Sequence, residues 1–316
     1  MQIDNVVYLS GNITANFEAD GLVVEESGLR IPLRNINLVV VFSPARLSSR
    51  LLNTLLDLDI PISLIRADDS LRGDALAPNT GSIDMRIAQH RAYAYARPLW
   101  ASYFAVGKLR NLLSLHNPLE PCFPVLQDCI GRCSGELADI IAAEALGTKA
   151  HYANWGEFLR TDVFQWNGRN RRPPRDPVNA LMSFYSVLWT QLCNASLHAA
   201  GLDPQLGFLH SPRVGRASLA CDLVEEFRGP IVERVCLLMM NRGWIDRSHF
   251  VETPTGVRLS TEGRAKVLRV HENVRRTPTW HPQLKHRIAF GQIPFYQARS
   301  LSRSLLHNSP YEAWRP

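Results

Sequence analysis

Apolar and polar positions alternate early in the chain and then change period. Leu29, Ile31 and Leu33 alternate with Arg30, Pro32 and Arg34, the pattern of a strand with one buried face. Leu22-Val23-Val24 predicts the preceding strand, and Glu26-Ser27-Gly28 predicts the turn between them. Leu38 to Phe42 is a short continuous apolar run, suited to a strand buried on both faces. Leu47, Leu51 and Leu55 recur at helical spacing within 46–58, and Ile60-Pro61-Ile62-Ser63-Leu64-Ile65 returns to strand character. Over 69–82 the composition turns to Asp, Ser, Gly, Pro, Asn and Thr, which predicts a linker or exposed loop. From about 83 onward long helical patterns dominate, broken by proline and glycine, with no internal repeat. From about 292 the tail is bracketed by prolines and rich in aromatics, and is expected to be only partly ordered. The fold class is therefore α+β. A small N-terminal β-rich domain over 1–80 precedes a larger all-helical domain over 81–316.

Composition narrows the class. The chain has 316 residues, 46% of them hydrophobic and 20% charged, which suits a water-soluble globular protein of two domains. Met1-Gln2-Ile3-Asp4-Asn5 has no basic segment leading into an apolar one, so no signal peptide is expected. No apolar run approaches the roughly 20 residues that span a bilayer. No membrane partner and a reducing cytoplasmic location are the expectation. The six cysteines form no C-x-x-C pair, so neither zinc nor a disulfide framework is expected. Cys129 and Cys133, at i and i+4, suit two thiols on one helix. The formal charge of +6 is compatible with a polyanionic partner without requiring one.

The candidate chemistry lies in three places. On the helix predicted around 133–148, Leu137, Ile140 and Ile141 form an apolar face, and Glu144 falls on that face. Such a carboxylate needs a partner, and the plain reading is a core-rim acid neutralised by an arginine. His210 ends the run Gly207-Phe208-Leu209-His210, and by itself suits a hydrogen-bonded core residue. A helical segment follows it, with Asp222, Glu225 and Glu226 on one face and Leu219, Leu223 and Phe227 on another. Those three acids read either as a solvated acidic face near a helix N-terminus or, with His210, as ligands of a divalent metal.

Basic residues surround these positions. Arg169, Arg171, Arg172 and Arg175 lie in a Gly- and Pro-containing loop that enters a helix near Pro177. Arg213 and Arg216 lie between His210 and Asp222. From Arg264 to Arg303 nine Lys or Arg residues, including Arg275, Arg276, Lys285 and Arg287, face one acid, Glu272. The scarcity of interleaved acids favours phosphate contact over an ordinary solvated face.

Three blocks carry a family resemblance. Arg175-Asp176-Pro177-Val178-Asn179-Ala180-Leu181-Met182-Ser183-Phe184-Tyr185 is similar to the stretch that opens the central helix of the CRISPR-associated spacer-acquisition integrases, the "Cas one" family. Ala200-Gly201-Leu202-Asp203-Pro204 leading into Gly207-Phe208-Leu209-His210 resembles a second block, and Ser218 to Arg228 a third. Their order and spacing extend the resemblance over essentially the whole chain. It implies a small β domain that dimerises and a larger helical catalytic domain. It also implies a metal site of one glutamate, one histidine and one further acid. The histidine falls on His210, the further acid on Glu225 with Asp222 in support, and the glutamate on Glu144. The family pattern Glu-Gly-x-x-x-Arg/Lys-x-Tyr is altered here to Glu144-Ala145-Leu146-Gly147-Thr148-Lys149-Ala150-His151-Tyr152, with alanine for glycine and one residue more before Tyr152. Lys149 keeps the basic position, and Glu136 and Asp139 are the fallbacks. One imidazole and two carboxylates suit Mg²⁺ or Mn²⁺.

The resemblance implies strand transfer, in which a prespacer DNA 3′-hydroxyl attacks a phosphodiester at the edge of a CRISPR repeat. Implied partners are double-stranded DNA, a second copy of the chain, a small ferredoxin-like CRISPR adaptation protein and a helper nuclease. Two other readings stay open at this point. One is a metal-dependent endonuclease on branched DNA, and the other a catalytically inactive DNA-binding subunit.

Overall fold

The computed structural model describes residues 5–66, 71–76, 83–171 and 173–316. Strands β1 (Val6–Leu9), β5 (Leu38–Phe42), β7 (Ile62–Ile65) and β8 (Leu71–Ala75) form one sheet in that order. β1, β5 and β7 run parallel, and β8 pairs antiparallel on β7. A second sheet has the order β4 (Arg30–Pro32), β3 (Gly21–Val24), β2 (Thr14–Glu18), β6 (Arg46–Leu47). In its β3–β4 hairpin Leu22 lies opposite Ile31. Gly28 in the intervening turn takes a left-handed φ of 66°. Helix α1 (Ser49–Asp57) is capped by the Ser48 hydroxyl, which accepts from the Leu51 amide at 3.2 Å, and it buries Leu51 and Leu55.

β5 is buried along its whole length, as its unbroken apolar run predicts. The two-residue strand period sorts its side chains between two cores. Val39 and Val41 join a smaller core with Leu22, Leu51, Leu55 and Ile62. Leu38, Val40 and Phe42 join a larger core built from the helices.

The helices are α2 (Ile83–Leu113), α3 (Cys122–Arg132), α4 (Leu137–Asn154), α5 (Pro177–Ala199), α6 (Ser218–Phe227), α7 (Arg234–Asn241), α8 (Thr261–Arg276) and α9 (Ile293–His307). α2 is kinked at Ala96, two residues before Pro98. α5 is the central helix. Asp176 caps it by accepting from the Asn179 amide at 2.8 Å, and Pro177 opens it. A π-helical stretch, Arg228–Glu233, continues α6 into α7.

Three expectations need correction. The region after residue 81 is not all-helical. It carries two antiparallel hairpins, β9 (Phe250–Thr253) with β10 (Gly256–Leu259), and β11 (Pro278–His281) with β12 (His286–Ala289). Val251, Thr253 and Val257 are β-branched and lie on either side of a two-residue Pro254-Thr255 turn followed by Gly256, so local chemistry overrides the surrounding helical pattern. Within the predicted 69–82 linker, residues 71–75 are strand β8, held by pairing to β7 despite their polar composition. Residues 69–70 and 77–82 lie outside the described residues. Finally, the tail is ordered. Residues 293–307 are helix α9, and Tyr311 and Trp314 are buried.

All six cysteines are free thiols. No described helix is long and apolar enough to cross a membrane.

Candidate metal centre and nucleic-acid groove

The three acids predicted on one face of α6 form no solvated surface. Asp222, Glu225 and Glu226 are all buried, each with its own set of partners. Asp222 organises the segment before the helix. Its Oδ2 accepts the amides of Phe208 and Leu209 at 2.6 and 3.1 Å, and its Oδ1 accepts the amide of His210 at 2.8 Å. The same Oδ1 lies 2.7 Å from His210 Nδ1. Gly207 permits this closeness, since a Cβ there would come within 2.6 Å of the Ser218 carbonyl carbon. An aspartate that accepts from Nδ1–H fixes the imidazole tautomer and leaves Nε2 with its lone pair. Among the described residues, Nε2 of His210 has no hydrogen-bond partner. The side chain is 32% exposed.

Glu225 sits one turn further on. Arg228 grips it from i+3, with Nη2 to Oε1 at 2.6 Å and Nε to Oε2 at 2.9 Å. Lys108 of α2 reaches the same Oε2 at 2.8 Å and also pairs with Oε1 of Glu144 on α4. Thr148 donates to Glu144 Oε1 at 2.9 Å. Glu144 is thus neutralised by a lysine, not by the arginine that the plain reading supplied. Burial pushes the Glu225 carboxyl up, but the Arg228 and Lys108 charges more than offset this and hold it well below the usual carboxylate range. Glu226 has different company. Tyr311 Oη, the Trp314 amide and Gln297 Nε2 donate to it at 2.5, 2.9 and 3.0 Å. Burial nonetheless raises its pKa to about 7, because no cation stands beside it.

The residues fit a hard divalent cation in kind. The Lys108 ammonium already stands as a shared cation between the Glu144 and Glu225 carboxylates, and His210 presents an open imidazole nitrogen. The three groups are not drawn together around one point. Among the described residues only His116, Glu120 and Cys122 bring ligand atoms within 4.8 Å of one another. Asp222 has both oxygens committed to the 208–210 backbone and His210. Glu136 and Asp139, the fallbacks, are exposed at the start of α4.

A cavity of about 800 Å³ opens beside α6. Its lining includes Arg66, Arg169, Arg171, Arg213, Arg216, Arg228 and Arg258, and no Asp or Glu among the described residues. It touches α6 through Cys221 and Val224 and the π-helical stretch through Arg228, while His210, Glu144 and Glu225 are not on its wall. Of the predicted DNA contacts, Arg169, Arg171, Arg213 and Arg216 line this groove. Arg169 is held in place by Asn179 Oδ1 at 2.6 Å. Arg172 lies outside the described residues. Arg175, Arg276, Lys285 and Arg287 are exposed away from the groove wall. Arg275 is not an exposed contact, because it is buried and paired with the partly exposed Glu272 at 3.0 Å. Sequence reasoning missed Lys108, Arg66, Arg228 and Arg258. Lys108 carried one signal, a lone cation inside the apolar run Ala105-Val106-Gly107-Lys108-Leu109.

Comparison with known proteins agrees with the three sequence blocks. The sequence model of the family described as CRISPR associated protein Cas1 matches residues 7–273. CRISPR-associated endonuclease Cas1 2 of Rhodospirillum rubrum is 32% identical over 327 residues, covering 95% of each chain. The fold is similar to a CAS1 protein from Thermotoga maritima, with a TM-score of 0.84 at 23% identity over 96% of this chain and 97% of that one. It is also similar to a casposase bound to integration product, with a TM-score of 0.84 at 18% identity over 98% and 92% of the two chains. With a family match running from β1 into α8 and a relative this close along nearly its whole length, the chain belongs to the CRISPR-associated Cas1 family.

Proposed function

We propose that this protein joins the 3′-hydroxyl ends of prespacer DNA to the repeat of a CRISPR array by metal-dependent transesterification. The observation that carries this reading is the pairing of two features. An Asp222-held His210 and a cation-bridged pair of carboxylates stand next to a groove lined by arginines, with no acid among its described lining residues. Residues 81–316 act as the catalytic domain and 1–80 as the dimerisation domain. The small ferredoxin-like adaptation protein and a helper nuclease are the further partners.

His210 through Nε2, with Glu144 and Glu225, would hold Mg²⁺ or Mn²⁺, and Asp222 positions His210. The bound ion supplies charge stabilisation at phosphorus and a lower pKa for the attacking hydroxyl. The chain's own part is positioning. Arg169, Arg171, Arg213 and Arg216 neutralise backbone phosphates along the groove and hold two DNA ends in line. The incoming 3′-oxygen forms a bond to phosphorus as the repeat strand's 3′-oxygen leaves with the electron pair. One phosphodiester replaces another, so neither an enzyme nucleophile nor an energy source is needed.

The protein is incubated with its partner, short duplexes bearing free 3′-hydroxyls and a supercoiled repeat plasmid. Covalent joining is expected. Cleavage without joining would indicate the endonuclease, and DNA binding unchanged by Mn²⁺ would indicate an inactive subunit. His210→Ala is expected to lower joining at least ~100-fold, in line with removal of a metal ligand, while sedimentation still shows the dimer. Full activity in that variant would overturn the site.

A further inference from the structure

His116, Glu120 and Cys122 take no part in the site above. His116 and Glu120 lie on the short connection from α2 into α3, and Cys122 is the first residue of α3. Nδ1 of His116 pairs with Oε2 of Glu120 and lies 3.2 Å from Cys122 Sγ, and Sγ lies 3.9 Å from that Oε2. These atoms form a front of one nitrogen, one oxygen and one sulfur.

The back of each side chain is engaged. Glu120 Oε1 accepts the Asn117 amide at 3.0 Å, so Oε2 faces inward. Nε2 of His116 meets Nδ1 of His151 at 2.7 Å, and Nε2 of His151 meets Oε2 of Glu233 at 2.6 Å. Glu233 is fixed in turn by Tyr152 Oη at 2.9 Å and Trp155 Nε1 at 3.0 Å. A ligand imidazole whose second nitrogen is tied into a carboxylate-terminated chain is the usual support behind a metal-bound histidine. His116 and Cys122 are buried, while the Glu120 side chain is 30% exposed and gives access from solvent.

We propose that His116, Glu120 and Cys122 bind Zn²⁺ or a similar borderline-soft divalent ion, with water as the fourth ligand. This site is separate from the one proposed for DNA joining and does not depend on it. Thiolate and imidazole select zinc-like ions over Mg²⁺. Zinc bonds of roughly 2.0–2.3 Å in tetrahedral geometry set ligand separations of about 3.3–3.8 Å. The two sulfur distances bracket that range, and the shorter His116–Glu120 contact is a hydrogen bond whose proton the ion would replace. The absence of a C-x-x-C pair argued against zinc in the sequence, but this cluster needs one cysteine only. Its role is structural, since through His151 and Glu233 the ion would clamp the α2–α3 connection to α4 and to the π-helical stretch.

The alternative is a metal-free polar network. Titrating the full-length wild-type protein with Co²⁺ separates the two. A sulfur-to-cobalt charge-transfer band saturating at one equivalent per chain is expected, displaced by Zn²⁺. It should vanish in Cys122→Ser and persist in Cys221→Ser and His210→Ala. No band at excess Co²⁺, or a band that survives Cys122→Ser, would overturn the proposal. X-ray absorption on the zinc-loaded wild type needs no variant. One sulfur in the shell is expected, and a shell of nitrogen and oxygen alone would overturn it.

Discussion

Lys108 sets the charge balance of the candidate centre. Its ammonium bridges Glu144 and Glu225, which makes it the competitor of any divalent ion there. Removing one partner of a buried ion pair costs about 3–5 kcal/mol, because a charge is left buried without compensation. Lys108→Met should therefore lower the melting temperature of the metal-free protein, and added Mn²⁺ should raise it by more than in the wild type. Equal Mn²⁺ shifts in the two proteins would mean that the carboxylates do not share a cation site. At this scale the sequence was partly legible. His210 and the acids of α6 stood out because polar residues are rare in apolar runs. Lys108 shared that signal, but its role was not readable, since its partners lie 36 residues away on α4 and more than a hundred away on α6. The three acids looked alike at i, i+3 and i+4. Only packing shows that one binds backbone amides, one binds cations and one binds the tail.

Elements were legible where one periodicity held. β5, α1 and α5 follow their patterns, whereas the β9–β10 and β11–β12 hairpins were hidden by flanking helices. β8 was hidden too, because its stability comes from a partner strand rather than its own composition. The contact between α8 and β1 is a further case that no local pattern could reveal. His271 hydrogen-bonds Tyr8 at 2.9 Å and packs edge-on against Tyr185 and Trp189. Burial, reinforced by the Arg275 charge, holds the His271 pKa down to about 3, against an ordinary 6.5. Between those values the unfolded chain binds a proton that the folded chain refuses. The contribution to stability is thus present above pH ~6.5 and lost as pH falls toward 3. His271→Gln keeps a partner for Tyr8, and should flatten the decline in unfolding free energy between pH 6.5 and 4.5 in denaturant titrations. An unchanged slope would contradict the buried neutral histidine.

The whole molecule is two cores on opposite faces of one sheet, with an arginine groove alongside. The α+β class was readable from the change of period, and the groove only in part, because its arginines come from five separate segments. DNA binding should weaken steeply with salt. Replacing both Arg213 and Arg216 by alanine should reduce the log–log salt slope by roughly 1.5–2, near 0.9 per lost phosphate contact on duplex DNA. A flat salt response would rule out the groove as a phosphate track. The buried tail has a consequence of another kind, in the order of synthesis. Glu226 accepts the amide of Trp314, 88 residues later in the chain. Gly107 makes room for that tail, since a Cβ there would fall 2.4 Å from the Cβ of Ala313. At ~5–20 residues per second the ribosome needs roughly 4–18 s to cover that stretch. Until then the acid beside Glu225 lacks its native donors from the tail, the Tyr311 hydroxyl and the Trp314 amide. A nascent chain therefore holds the parts of its candidate metal centre well before the tail arrives to complete their surroundings.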